Sequence, residues 1–342
     1  MSPTPRRLPP ADTVTRTRPR PPRVTALEPR TAAPLATTDR ASLARGGDRG
    51  AERLGVRKTY KLYIGGQFPR TESGRAYEVF DARGRLLANA CRGTRKDIRD
   101  AVRAARKAFP LWAARTGYNR SQVLYRIAEL LEGRRDQFIA EVMAAEGCGR
   151  RRGARLVDAA IDRWVWYAGW ADKFSQVTGT LNPVNGPYFN FSIPEPTGVV
   201  GVIAPEESSL LGLVSRLAPV LVSGNTAAVI ASESRPLPAV TLSEVLATSD
   251  VPGGVVNLIT GLRRELVGHL AGHMDVNALD AFGLDPAAAT EMEQLATENV
   301  KRVARPPVGG LGRYDWLAAA AQSPYLIGQF VETKTAWHPI GA

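Results

Sequence analysis

The feature that most constrains this chain is a series of short apolar segments that alternate with helical segments between residues 198 and 282. Each apolar segment is continuous, which is typical of strands buried on both faces of a parallel sheet. Right-handed crossovers would place the helices on both faces of that sheet. The pattern predicts an α/β fold of the dinucleotide-binding type, although no GxGxxG motif is present. The predicted strands are Gly198–Ile203, Asn225–Ile230, Gly254–Ile259 and Ala278–Phe282, and the predicted helices are Leu210–Val222, Leu237–Ala247 and Glu265–Leu270.

Two other segments alternate between apolar and polar residues. In Tyr188–Ile193, two phenylalanines alternate with polar side chains, which is typical of an exposed antiparallel strand at a subunit contact. Phe330–Trp337 alternates in the same way and predicts an edge strand. Between these segments, Pro286–Val303 predicts one last helix, which a proline- and glycine-rich run follows.

The first 55 residues are rich in Pro, Arg, Thr and Ala and show no apolar period, so we expect a disordered basic tail over residues 1–55. Eleven arginines against five acidic residues give this tail a charge of +6, half of the formal net charge of +12. The other half is spread along the chain, whereas a nucleic-acid site concentrates its positive charge on one patch or motif. Two interpretations stay open: the tail contacts nucleic acid or a partner, or it is a solvated extension.

Cysteine, histidine and hydropathy patterns exclude several classes of protein. Cys91 and Cys148 are too few for a disulfide framework, and neither belongs to a CxxC pair. His269 and His273 have a zinc-compatible spacing, but no further ligand cluster accompanies them, so no metal site is predicted. No apolar run reaches the roughly 18 residues needed to span a membrane. We therefore expect a cytoplasmic chain without a membrane partner.

Several segments resemble the aldehyde dehydrogenase superfamily in sequence, order and spacing. The strongest match runs from Pro196 to Gly261. It includes Pro-Thr-Gly-Val-Val-Gly-Val-Ile-Ala-Pro, which begins at Pro196, and Val-Pro-Gly-Gly-Val-Val-Asn-Leu-Ile-Thr-Gly, which begins at Val251. The segment Val-Glu-Thr-Lys-Thr-Ala-Trp, from Val331, resembles the family's final strand. The resemblance covers about residues 60–303 and 325–338.

This resemblance implies a domain organisation. Residues 56–303 would form the family's nucleotide-binding domain, with a Rossmann-like parallel sheet and an oligomerisation hairpin at about 177–196. Residues 304–324 would be a linker, and residues 325–342 would add a strand to a small antiparallel oligomerisation sheet. The family's catalytic domain would be largely absent.

The resemblance also implies where a nicotinamide dinucleotide would bind. The matching positions are Ile203, Ala204, Pro205, Ile230, Ser232, Glu233 and Gly261. Ile230 replaces the family's ribose-binding lysine, Glu207 replaces its oxyanion-stabilising asparagine, and Arg263 replaces a glycine close to the cofactor. A carboxylate cannot donate a hydrogen bond to an oxyanion, and Glu206 beside it would repel a pyrophosphate. We therefore expect no tightly bound cofactor and only weak binding of NAD or NADP.

The two groups that carry the family's chemistry have no counterpart. Val300–Val303 should lead into Glu-Leu-Gly-Gly-Lys, whose Glu is the general base, but the chain continues into Arg305-Pro306-Pro307. No cysteine follows Cys148, and the family's thiohemiacetal chemistry needs a thiolate. We therefore assign no catalytic residue.

The leading hypothesis is a non-catalytic partner subunit. It would be similar to the C-terminal module of two-module aldehyde dehydrogenases, which keeps the nucleotide-binding and oligomerisation parts without the nucleophile. The expected partner is a full-length aldehyde dehydrogenase, a second copy of this chain, or both. Two alternatives stay open: an autonomous NAD(P)-dependent aldehyde oxidoreductase, and a nucleic-acid-binding or scaffold protein that uses the basic tail.

Overall fold

The computed structural model describes residues 57–305 and 314–341. The predicted tail over residues 1–55 lies outside the described residues. Residues 306–313, within the predicted linker, also lie outside them.

A parallel sheet of five strands forms the centre of the described chain. Its spatial order is β10-β9-β6-β7-β8, and every neighbouring pair is parallel. All residues of β6 to β9 are buried, as expected for strands that are covered on both faces. The prediction of an α/β fold with a Rossmann-like parallel sheet is confirmed. The strands are β6 (Val199–Ile203), β7 (Thr226–Ile230), β8 (Val256–Ile259), β9 (Ala278–Asp280) and β10 (Arg302–Ala304).

Helices cover both faces of this sheet and create two apolar cores. In β6, Val199 and Ile203 belong to one core, whereas Val200 and Val202 belong to the other. Side chains alternate between the faces of a strand, so neighbouring residues enter different cores. The first core is covered by α1 (Arg95–Ala113), α8 (Arg263–Ala271) and α9 (Pro286–Ala296), and the second by α6 (Leu211–Val222) and α7 (Leu237–Thr248).

Three more helices add side chains to the second core, and a small sheet precedes these helices in the chain. The helices contribute Leu124, Phe138 and Trp164 to that core, all completely buried. The small sheet has the order β1-β3-β2. The strands of this small sheet and the three helices are β1 (Thr59–Tyr60), β2 (Ala76–Phe80), β3 (Leu86–Cys91), α2 (Gly117–Gly133), α3 (Arg135–Glu146) and α4 (Arg150–Trp170), and the short helix α5 (Phe174–Thr178) follows them.

Among the described helices, none combines the length and the apolar character that crossing a bilayer would require.

A separate antiparallel sheet consists of β4 (Thr180–Asn182), β5 (Tyr188–Pro196) and β11 (Val331–Pro339), in the order β11-β5-β4. β5 pairs with β11 along its whole length. Phe191 of β5 lies opposite Ala336 on one side and Leu181 on the other. The predicted small antiparallel sheet, formed by the hairpin and the C-terminal strand, is confirmed.

The helix predicted over Pro286–Val303 is shorter in the structure. α9 ends at Ala296, a 3-10 turn spans Thr297–Asn299, and Val300 adopts a left-handed φ of 55°. The chain then turns into β10, which pairs with β9 at the edge of the sheet. The helix prediction was wrong at this end because the apolar residues continue the helical spacing of three and four as far as Val303. Over so few residues, this spacing does not distinguish a helix from a short strand.

Residues 314–330, which we call the edge segment, pack where the strands of the parallel sheet end. The edge segment contains a 3-10 turn at Ala319–Ala321 and helix α10 (Pro324–Gly328). Trp316 is buried, and its ring centroid lies 5.5 Å from that of Phe282, which follows β9. The described part of the predicted linker 304–324 therefore begins in β10 and contributes an aromatic side chain to the core.

A buried ion pair joins α6 to the end of β9. Arg216 Nε lies 2.7 Å from Asp280 Oδ2, and both side chains are almost completely buried. Arg216 also donates to Gln329 Oε1 at 3.0 Å and stacks on Phe282, with its guanidinium carbon 4.3 Å from the ring centroid. Burial raises the pKa of Asp280, although Arg216 opposes the rise. Through Gln329 and Phe282, this ion pair attaches the edge segment to the sheet.

We expect Asp280→Ala to lower the free energy of unfolding by about 3–5 kcal/mol, because Arg216 would stay buried without its counter-charge. Urea denaturation measures this change. The matched control is Glu332→Ala, which removes an exposed pair with Arg302 that spans 4.0 Å and should cost less than about 1 kcal/mol. An Asp280→Ala variant with the native urea midpoint would contradict the prediction.

Candidate functional site

The candidate site lies at the carboxyl edge of the parallel sheet, where the chain leaves β6, β7, β8 and β9. Ligands of open α/β sheets bind outside this edge. The structure brings all the predicted cofactor residues to it, and their contact with a cofactor stays a prediction. They are Ile203, Ala204 and Pro205 at the end of β6, Ile230, Ser232 and Glu233 at the end of β7, and Gly261 after β8.

Several of these residues serve the packing of the chain itself. Ile203 and Ile230 are paired in the register of β6 and β7, and both are completely buried. A buried isoleucine offers no donor to a ribose hydroxyl. At Gly261, an added Cβ would lie 2.9 Å from the backbone nitrogen of Gly93. Glycine is therefore needed there because the loop before α1 approaches closely.

The carboxylate of Glu206 is bound by five donors at this edge. Its Oε1 accepts a hydrogen bond from Glu233 N at 2.6 Å and lies 2.8 Å from Arg263 Nη2. Its Oε2 accepts hydrogen bonds from Ser232 Oγ at 2.7 Å, from Ser234 N at 3.1 Å and from Ser234 Oγ at 2.6 Å. Groups at two predicted cofactor positions, Ser232 and Glu233, are therefore bonded to a carboxylate of the same chain.

The side chain of Arg263 lies between the ends of β6 and β9. Its Nη1 donates to the carbonyl of Gly283 at 2.8 Å, and its Nη2 donates to the carbonyl of Ala204. The backbone N–H of Arg263 donates to Glu233 Oε2 at 2.7 Å, which places a carboxylate at the first turn of α8. Negative charge is favourable at a helix N-terminus. Arg263 thus connects the loops after three strands.

Burial and charge act in opposite directions on the Glu206–Arg263 pair. Burial alone would raise the pKa of Glu206, but Arg263 and the hydrogen bonds from residues 232–234 outweigh it and hold this pKa below its ordinary value. Burial lowers the pKa of Arg263, against the attraction of the neighbouring carboxylates. A guanidinium nevertheless stays charged at neutral pH. The pair is therefore ionic.

Sequence reasoning missed an aromatic residue that contacts this edge. Trp316 Nε1 donates to Glu207 Oε1 at 3.1 Å. The carbonyl of Glu207 also accepts a hydrogen bond from Arg235 Nη1 at 3.3 Å. Trp316 falls in the predicted linker 304–324. The one signal that could have found it is composition, since Tyr314 and Trp316 are two aromatic residues close together in that linker.

A groove of about 370 Å³ lies between α8 and α9, next to Arg263. Its walls combine charged side chains with apolar ones, which include Val267, Leu284, Met292 and Leu295. Val267 stands, like Arg263, where the resemblance implies a glycine close to the cofactor. Within the described ranges, no cluster of three or more His, Cys, Asp or Glu side chains could hold a metal ion.

The two cysteines lie in early elements of the chain. Cys91 is buried at the end of β3, and Cys148 precedes α4 and is half-buried. Burial, followed by the charge of Glu146, raises the pKa of the Cys148 thiol. A nucleophilic cysteine needs the opposite shift, because the thiolate is the reactive form.

Comparisons with known proteins agree with the resemblance seen in the motifs. The sequence model of the aldehyde dehydrogenase family matches residues 69–306. Mitochondrial benzaldehyde dehydrogenase of Antirrhinum majus is 32% identical over 247 residues, which cover 71% of this chain and 46% of that protein. Retinal dehydrogenase 2 of Homo sapiens is 32% identical over 253 residues, covering 72% of this chain and 48% of that protein. The chain spans about half the length of these curated relatives.

Solved structures give the same picture. The NAD⁺ complex of aldehyde dehydrogenase from Bacillus cereus superposes with a TM-score of 0.68 at 26% identity, covering 72% of this chain and 50% of that one. HpcC from Thermus thermophilus superposes with a TM-score of 0.69 at 28% identity, covering 72% and 48%. The similarity therefore extends over most of the described residues and about half of each solved structure.

The lowered pKa of Glu206 predicts a pH dependence of stability. A carboxyl whose pKa is lowered by folding stabilises the folded state above its ordinary pKa, and this contribution is lost as pH falls through the folded-state pKa. We expect Glu206→Gln to unfold more easily than the native chain at neutral pH, and the difference to shrink below about pH 4.3. Urea denaturation over a pH series measures it. A difference that persists unchanged into strong acid would contradict the prediction.

Proposed function

This chain belongs to the aldehyde dehydrogenase family, and we propose that it acts as a non-catalytic subunit that assembles with a full-length aldehyde dehydrogenase. The observation that carries the proposal is the short connection between β10 and β11. Only residues 305–330 join Ala304 to Val331. The resemblance implies that the general base and the nucleophile belong between these two strands. A connection of this length leaves no room for the family's catalytic domain.

The residues at the carboxyl edge support this proposal. Glu207 stands where the family's pattern has the oxyanion-stabilising asparagine, and Glu206 lies next to it. Carboxylates raise the energy of a developing oxyanion, whereas the family's chemistry needs donors there. The raised pKa of Cys148 also argues against a substitute nucleophile.

We infer further that NAD or NADP binds weakly. Ile230 is completely buried and cannot replace a ribose-binding lysine, and Glu206 already accepts from the hydroxyls of Ser232 and Ser234. Loss of one charged hydrogen bond costs roughly 1.5–3 kcal/mol, which corresponds to about ten- to a hundred-fold in affinity. The residues present at this edge do not fit a tightly held dinucleotide.

The proposed assembly surface is the exposed face of the antiparallel sheet, which we call the sheet face. Leu181, Phe189 and Ile193 are exposed by 67%, 47% and 40%. Phe189, Phe191 and Ile193 are spaced by two along β5, and Leu181 is the partner of Phe191, so these side chains share one face. A contiguous apolar row of this kind is typical of a protein–protein contact.

We expect the purified chain to show no aldehyde oxidation. Loss of a nucleophile and base that act together lowers turnover on the order of a million-fold. NADH formation from a panel of aliphatic and aromatic aldehydes measures this, with a Cys148→Ser variant as control, which should give the same background. Turnover that disappears on Cys148→Ser or on thiol alkylation would contradict the proposal and favour an autonomous oxidoreductase.

We expect Phe189→Asp to prevent assembly, because a carboxylate would be buried at the contact without a partner. Size-exclusion chromatography with light scattering, after co-expression with a full-length aldehyde dehydrogenase of the same host, measures complex formation. Phe80→Asp is the matched control, since Phe80 is 45% exposed on β2, which belongs to the small sheet β1-β3-β2 and not to the antiparallel sheet. The native chain remaining monomeric at micromolar concentration, alone and with the dehydrogenase, would refute the proposal.

A further inference from the structure

The five donors around Glu206 form an anion-binding arrangement. Two consecutive backbone N–H groups, from Glu233 and Ser234, point to one carboxylate together with two hydroxyls and a guanidinium. Consecutive N–H groups of a turn bind anions because their dipoles converge. We call these groups the donor cluster: Ser232 Oγ, Glu233 N, Ser234 N, Ser234 Oγ and Arg263 Nη2.

The donor cluster is held in place by contacts that do not involve Glu206. Arg235 N donates to Ser232 Oγ at 3.0 Å, which fixes the turn that carries both serines. Arg263 is anchored through the carbonyls of Gly283 and Ala204. We expect donors fixed in this way to keep their direction when the acceptor is removed. The site is therefore preorganised for an oxyanion, whichever group supplies it.

We propose that Glu206 is a built-in anion that occupies a phosphate-binding site formed by the donor cluster, and that it thereby excludes phosphate-bearing ligands from the carboxyl edge. The ligand class is phosphate because hydroxyls, backbone N–H groups and a guanidinium are the donors that bind phosphate oxygens in proteins. The proposal is independent of subunit assembly, since none of these residues belongs to β4, β5 or β11.

The charges near the site set how strongly a phosphate could bind without Glu206. Arg263 forms an ion pair with Glu206 and is also attracted by the carboxylates of Glu233 and Glu207. Arg235 lies nearby and donates to the backbone carbonyl of Glu207. Removal of Glu206 leaves two carboxylates against two guanidiniums, so the local charge changes from −1 to zero. A phosphate would then supply negative charge to the same donors.

The experiment is a titration of the full chain with inorganic phosphate at constant ionic strength, followed by thermal unfolding and calorimetry. The variant is Glu206→Ala, and the matched control is Glu207→Ala, which removes the adjacent carboxylate outside the donor cluster. We expect Glu206→Ala to lower Tm and to regain part of it in millimolar phosphate, with affinity roughly ten-fold or more above that of the native chain. The native chain and Glu207→Ala should not respond.

A second variant keeps the test decisive if Glu206→Ala does not fold. Glu206→Gln preserves the side-chain volume but turns N–H groups toward donors, so phosphate should displace the amide and raise Tm. Folded Glu206→Ala or Glu206→Gln without any phosphate response would overturn the proposal. So would an equal response of the native chain, or low-micromolar NAD binding by it, because a phosphate-bearing ligand would then enter with Glu206 in place. None of these three results would bear on assembly through the sheet face, although low-micromolar NAD binding would also contradict the weak dinucleotide binding inferred above.

Discussion

The buried ion pair between Arg216 and Asp280 holds the edge segment against the end of the parallel sheet. Asp280 is the last residue of β9, and Arg216 reaches it from α6 while donating to Gln329 of the edge segment. A buried donor that loses its hydrogen-bond partner costs about 1–3 kcal/mol, so the contact of Gln329 with the guanidinium favours the edge segment in this position. β11 then starts directly beyond it. Asn225 strengthens the attachment, since its amide donates to the carbonyl of Phe330 at 2.6 Å while its oxygen accepts from Gly198 N at 2.7 Å.

The carboxyl edge shows how structural needs and ligand binding compete for the same groups. Buried backbone groups at strand ends must find partners. Here Arg263 satisfies the carbonyls of Ala204 and Gly283, and Glu206 satisfies the N–H groups of Glu233 and Ser234. In a protein that binds a cofactor at this edge, some of those partners would come from the ligand. Contacts that make the edge stable by itself are therefore the same contacts to which we attribute the weak dinucleotide binding that we propose.

The sequence predicted those features that depend on a local period. Strands buried on both faces are continuous apolar runs, so β6 to β9 and their common edge followed from the pattern, as did the alternating β5. Features that depend on distant pairing did not. Glu206 was expected to repel a pyrophosphate, because its partner Arg263 is remote in the chain and only the fold brings them together. β10 and Trp316 were missed for a related reason: each is defined by what it packs against, and neither has a spacing of its own.

Two regions of the described chain bear on the proposed assembly, the carboxyl edge and the sheet face. At the carboxyl edge the polar side chains are bonded within the chain itself, since Trp316 donates to Glu207 and Arg263 pairs with Glu206. The sheet face is not covered by the described chain, since Leu181, Phe189 and Ile193 remain exposed. Apolar side chains that a chain does not cover itself lower its solubility unless a partner covers them. The surface that still needs a partner is therefore one suited to another protein chain and not to a small ligand, which is why assembly is the function that we propose.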